Sequence, residues 1–121
     1  MRQDLTKSQR RRIRELARMA YDRELARELT ALEAEFARWR DGSINVHDLG
    51  ERIHEFHQGP NRRLFMTYTG STIELAVAAA IANGTITEAE VGPDILGLLH
   101  GGIEFARWYS KEEGGDGSED T

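Results

Sequence analysis

Leu25, Leu29, Leu32, Phe36 and Trp39 step along the chain by four, three, four and three residues. That heptad spacing commits the segment to an amphipathic helix with a single apolar seam. Upstream, Ile13, Ala17, Tyr21 and Leu25 recur every four residues, so the stripe drifts around the same helix. The pattern predicts one helix from about Lys7 or Ser8 to Arg40, capped by Thr6 or Ser8. Some 33 residues at about 1.5 Å each make a rod of roughly 50 Å. A compact chain of this length has a radius of gyration of only about 14 Å. The helix must therefore protrude, bend or pack on another molecule. Residues 1–20, with the thinner stripe, are the expected protruding end.

After Arg40 a corner motif occurs twice. Asp41-Gly42-Ser43-Ile44-Asn45-Val46-His47-Asp48-Leu49 parallels Asn83-Gly84-Thr85-Ile86-Thr87-Glu88-Ala89-Glu90-Val91, at an offset of 42 residues. Glycine supplies the left-handed position that ends a helix. Asn45 or Thr87 then caps the next one, with Asp48 or Glu90 three residues on. Thr87/Glu90 is a full capping box, and Asn45/Asp48 approximates one. Ile44 and Ile86 are placed to staple onto Leu49 and Val91.

The remaining pattern predicts short helices and no strands. The second helix runs from Val46 to about Gln58 with Val46, Leu49, Ile53 and Phe56 inward. Gly59-Pro60 breaks it, and the third helix turns Leu64, Phe65 and Tyr68 inward. Ser71 and Glu74 form a further capping box. The fourth helix, to Asn83, is apolar nearly all round and so belongs at the centre. Gly92-Pro93 opens the last helical region, which reaches Tyr109 with a break at Gly101-Gly102. The fold expected is all-α: an irregular or orthogonal bundle of five to six helices with a long N-terminal amphipathic helix. Residues 1–109 form one helical domain, and the acidic, Gly-rich residues 110–121 form a disordered tail.

Composition narrows the functional classes. The chain has 121 residues and no cysteine, which excludes disulfides, thiolate metal sites and cysteine nucleophiles. No run of 18 apolar residues occurs, and Met1-Arg2-Gln3-Asp4 opens no apolar leader, so a cytoplasmic protein is expected. The net charge of −5 is uneven: residues 1–40 hold 11 Lys/Arg and 7 Asp/Glu, residues 41–121 hold 5 and 14. Such asymmetry implies a basic element that meets something acidic.

Five features are candidates for chemistry. The two Asp-Gly and Asn-Gly corners resemble the second half of an EF-hand loop. However, Ala37, Trp39, Ala79 and Ile81 stand where oxygen ligands would be needed, so they read as helix corners. His47, His54 and His57 share the second helix, and the His54/His57 pair has a metal-chelating spacing without an HExxH motif. Arg52 and His57 match the loose R-x(4–6)-H string of HEPN-type helical ribonucleases, in which His and Arg would do acid–base work. Arg10, Arg11, Arg12, Arg14 and Arg18, with Lys7, make a cationic patch suited to an acidic protein partner or, as a weaker alternative, to nucleic acid. Most aromatic residues should fill the core, with Trp108 and Tyr109 as a binding patch or a plug.

Trp39-Arg40-Asp41-Gly42-Ser43-Ile44 and Arg52-Ile53-His54-Glu55-Phe56-His57-Gln58-Gly59 resemble a group of small bacterial proteins. These carry a W-x-x-G-x-I corner and an IH-x-FH-x-G helix end. The likeness covers about Leu16 to Ile95. It implies a bacterial, cytosolic, helical domain and brings no catalytic residues with it. The function expected is a small non-catalytic interaction or regulatory module, homodimeric through the Leu25–Trp39 seam or the Arg-rich end. Its partner-binding residues would be Arg10, Arg11, Arg14, Arg18 and Trp39, with no cofactor and no membrane. The alternatives are an RNA-cleaving enzyme using Arg52 and His57, and a metal-binding protein using His47, His54 and His57.

Overall fold

A computed structural model describes residues 4–119, with side chains through residue 112. Among these residues the chain is all-helical. The first helix, α1, runs Lys7–Arg40. Its start is a reciprocal capping box: Gln9 N–H donates to Thr6 Oγ1 at 3.0 Å, and Thr6 N–H to Gln9 Oε1 at 2.9 Å. There follow α2 (Val46–Phe56), a π-helical turn (His57–Asn61), α3 (Arg62–Thr69), α4 (Ile73–Ala82), α5 (Glu88–Val91), α6 (Pro93–Leu98) and α7 (His100–Glu119). Counting α2, the π turn and α3 as one continuous rod leaves six helices. The expected single domain over residues 1–109 divides into two compact units. One joins residues up to Ala20 with those from Ser71 onward, and the other is Tyr21–Gly70.

The first unit holds most of the core. Ile13, Leu16, Ala17 and Ala20 of α1 are buried, as are Ala76, Val77, Ala78, Ala80 and Ile81 of α4. Ile86, Val91, Ile95, Leu99 and Ile103 complete the set. Polar contacts fasten the start of α1: Gln9 Nε2 reaches the Asp94 carboxylate at 3.4 Å, and Arg12 Nη2 donates to the Glu90 carbonyl at 2.7 Å. The basic end expected to protrude therefore carries the best-buried stripe of α1; residues 1–3 lie outside the described residues. α4 packs chiefly on α7. Gly102 makes that approach possible, since a Cβ there would lie 3.1 Å from Ala78 Cβ. Gly101-Gly102 is thus a packing device inside α7, and the break falls earlier, at Leu99. α7 continues past Tyr109 to Glu119, across most of the expected tail; residues 120–121 lie outside the described residues. The cap of α4 is Thr72, without a side-chain capping bond, in place of the expected Ser71/Glu74 box.

The second unit is two antiparallel rods. As the contact on α1 falls from Glu35 to Glu28 to Glu24, its mate rises from Arg52 to Arg63 to Tyr68. Gly59-Pro60 does not break the second rod. Proline has no N–H to donate and its ring crowds the carbonyl four residues back; the wider π turn absorbs both defects without ending the helix. Buried apolar side chains are confined to Ile44, Leu49, Leu64 and Tyr68. Val46, Ile53 and Phe65, expected inward, are exposed. Two rods have only one mutual face, and these side chains lie off it.

The two corners share the same pattern of side-chain hydrogen bonds. Asp41 Oδ1 accepts from Ser43 N–H (2.8 Å) and Ser43 Oγ–H (2.6 Å). Asn83 Oδ1 accepts from Thr85 N–H (2.9 Å) and Thr85 Oγ1–H (2.7 Å). Gly42 and Gly84 have φ of 88° and 85°, and each N–H donates at 3.2 Å, to Trp39 and Ile81 carbonyls respectively. Both capping boxes are complete, Asn45/Asp48 as fully as Thr87/Glu90. The bonds from Ser43 hold the Asp41 carboxyl below its ordinary pKa. A Cβ at a left-handed position costs about 1–2 kcal/mol. Gly84→Ala should therefore lower unfolding stability by about that amount. Gly97→Ala, in helical backbone with open space around it, should be neutral or stabilising by up to about 1 kcal/mol. Urea denaturation of the two variants side by side checks this.

Candidate interaction surfaces

In the second unit the heptad seam of α1 is left uncovered. Leu29 is 46% exposed and Trp39 40%, and Leu25, Leu32 and Phe36 are only partly buried. Leu29, Thr30, Leu32, Glu33 and Phe36 line an open groove of about 420 Å³. Such a groove between side chains of one stripe is the hole into which a knob from another helix fits. The second rod adds Phe65 and Met66, exposed on α3. Trp39, named from the sequence as a partner-binding residue, thus sits on an apolar strip of this unit.

The first unit carries the cations named from the sequence. Arg10, Arg11, Arg14 and Arg18 are all exposed, as is Lys7. Arg10 Nη1 donates to the Leu5 carbonyl at 2.6 Å. Arg12 faces elsewhere and is occupied by Glu15 at 3.1 Å and by the Glu90 carbonyl.

The residues of the two alternative chemistries all lie on the second rod. Arg52 Nε is 3.3 Å from Glu35 Oε1 in an ion pair, and His57 is exposed at the start of the π turn. His47, His54 and His57 are strung along the exposed side of the second rod. Among the described residues no group of three or more His, Cys, Asp or Glu is close enough to hold a metal. No single helix among them is long and apolar enough to cross a membrane.

One surface escaped the sequence reading in part. Phe105 meets Trp108 and Tyr109 at ring-centroid distances of 5.9 and 6.1 Å. All three are more than half exposed, beside a groove of about 310 Å³ lined by Leu75, Ala79, Phe105, Ala106 and Tyr109. Trp108 and Tyr109 were legible as a patch. Leu75 was not, because an all-apolar α4 implies burial on every side. The three- and four-residue spacing of Phe105, Trp108 and Tyr109 was the available signal for the rest.

Comparison with family models, curated proteins and solved structures gives no match.

The electrostatics of the second unit converge on Tyr68. Its ring stacks on Tyr21 at 5.5 Å, and its hydroxyl donates to Glu24 Oε2 at 2.6 Å. Burial first, and then the Glu24 hydrogen bond and charge, push the phenol pKa well above its ordinary value. A raised folded-state pKa contributes stability that is complete below the unfolded value of about 10 and declines as pH rises beyond it. Unfolding free energy should therefore fall above about pH 10, and Tyr68→Phe should flatten that fall. Denaturation curves of parent and variant from neutral to alkaline pH test the difference.

Proposed function

We propose that this chain is a small, non-catalytic self-association module of a bacterial cytoplasm, two copies joining along Leu25, Leu29, Leu32, Phe36 and Trp39. The observation that carries the reading is the imbalance of the second unit. Fifty residues, Tyr21–Gly70, bury only four apolar side chains and leave Leu29, Trp39, Val46, Ile53, Phe65 and Met66 exposed. A unit of that size is marginal on its own core. A contiguous apolar strip on it marks an interaction site.

A second copy is the occupant favoured by the seam itself. The strip offers protruding Leu and Phe side chains and a groove of matching kind on one helix, so two identical strips can interdigitate. Pairing two such hairpins makes a four-helix arrangement with a shared core. The resemblance to small bacterial helical proteins supports the cellular setting. The ribonuclease and metal readings have less support, since Arg52 is engaged by Glu35 and the histidines do not gather.

The test is the mass of the full chain in solution. Light scattering after size exclusion should give a dimer for the parent. Leu29→Glu with Phe36→Glu should give a monomer, with far-UV circular dichroism showing retained helix. A shift of at least 10-fold in the dimer dissociation constant corresponds to about 1.4 kcal/mol, a modest demand for two buried apolar groups. A parent that stays monomeric at high concentration sinks the proposal.

A further inference from the structure

We infer that the first part of α1 binds the phosphodiester backbone of a nucleic acid through Lys7, Arg10, Arg11, Arg14 and Arg18. This goes beyond self-association and rests on a different surface, contained in the first unit.

At 100° per residue these five side chains fall within an arc of about 100°. Every residue of α1 from Lys7 to Arg18 in that arc is a cation. Each is exposed. Lys7, Arg11, Arg14 and Arg18 form no ion pair among the described residues, and Arg10 spends one N–H on the Leu5 carbonyl. The nearest acid on the segment, Glu15, lies beyond the edge of the arc and is paired with Arg12 at 3.1 Å. From Lys7 to Arg18 the rise is about 16 Å, with a cation at nearly every turn.

The composition of the face selects the partner. Protein interfaces set Trp, Tyr or Arg anchors in well-packed apolar surroundings; this arc has the arginines but no apolar or aromatic residue among them, which leaves charge as its means of recognition. A helix lying on a membrane needs an apolar flank to insert, but the apolar flank here, Ile13, Leu16, Ala17 and Ala20, is buried in the unit's own core. What remains is a row of four guanidinium forks and one ammonium; the planar guanidinium donors match phosphate oxygens bidentately. Such a row neutralises backbone charge and reads no base.

The experiment is fluorescence anisotropy of the full chain with a labelled DNA duplex and a labelled single-stranded RNA. Polyglutamate and phosphatidylglycerol vesicles serve as competing polyanions. Four to five phosphate contacts predict an affinity that falls on the order of 100-fold between about 50 and 200 mM salt. Arg11→Glu, Arg14→Glu and Arg18→Glu together should weaken binding at least about 10-fold, and the same three positions as Gln should lie between. Circular dichroism confirms that both variants keep their helix. Binding of either nucleic acid with this salt dependence and this loss supports the inference. No binding at low salt, binding unchanged in both variants, or equal or tighter affinity for polyglutamate or the vesicles overturns it.

Discussion

A helix of 34 residues measures about 50 Å along its axis, more than one small core can line. α1 is served by two cores, and the division of labour along it governs the other elements. Its first part is held by few but complete burials. Ile13 is 2% exposed and Leu16 fully covered; burial of such side chains stabilises by about 1.5–3 kcal/mol each. Gln9 and Arg12 add polar ties to Asp94 and to the Glu90 carbonyl. Its second part has more apolar residues and less cover, and within its unit a single further rod packs on it. The exposed apolar strip of the second unit follows from that shortage.

The corners decide how the chain returns to its cores. Each uses a side-chain oxygen, a left-handed glycine, a hydroxyl residue, a buried isoleucine and a capping box, in the same order. The hydrogen bonds are local, joining residues a few positions apart. Asp41/Ser43 and Asn83/Thr85 differ in charge and in one methyl group yet hold the same geometry. The carboxylate adds only a depressed pKa to what the amide does. A repeated solution of this kind reflects the backbone requirement of the turn, since the two corners serve different units.

Features set by neighbours in sequence were legible before the structure: the span of α1, both corners, and proline at the first position of α6. Features set by neighbours in space were not. Ile13, Leu16, Ala17 and Ala20 are a sparse stripe, and sparse stripes suggest exposure, yet the rest of the unit closes over them. Leu25 to Trp39 is a rich stripe left partly bare. Pro60 signals a break by its missing N–H, but a π turn can take up the defect inside a continuous rod, and nothing local distinguishes the two outcomes. Gly102 signals flexibility by composition and supplies contact by position, because Ala78 comes close enough to exclude a Cβ. The candidate site residues divide the same way. The arginine face was readable from spacing alone, whereas the engagement of Arg52 by Glu35 depends on two rods meeting.

The net charge of −5 and a cationic helix face are not in conflict. Net charge governs encounters at long range, and salt screens it beyond about 8–10 Å. Contact energies depend on the groups within that distance of the ligand. Along the basic arc the exposed charges are five cations, with Glu15 at the edge and Asp94 beside Gln9, while Asp and Glu dominate residues 41–121. A polyanion would thus be weakly repelled from afar and attracted on contact. Electrostatic steering would be weak and binding would depend on short-range charge pairing, which is why salt is the variable that separates this surface from a general acidic protein. The same asymmetry bears on the seam. The proposed pairing of the apolar strip would rest on area rather than on charge, so raising salt should leave it standing while it dissolves the proposed polyanion contact.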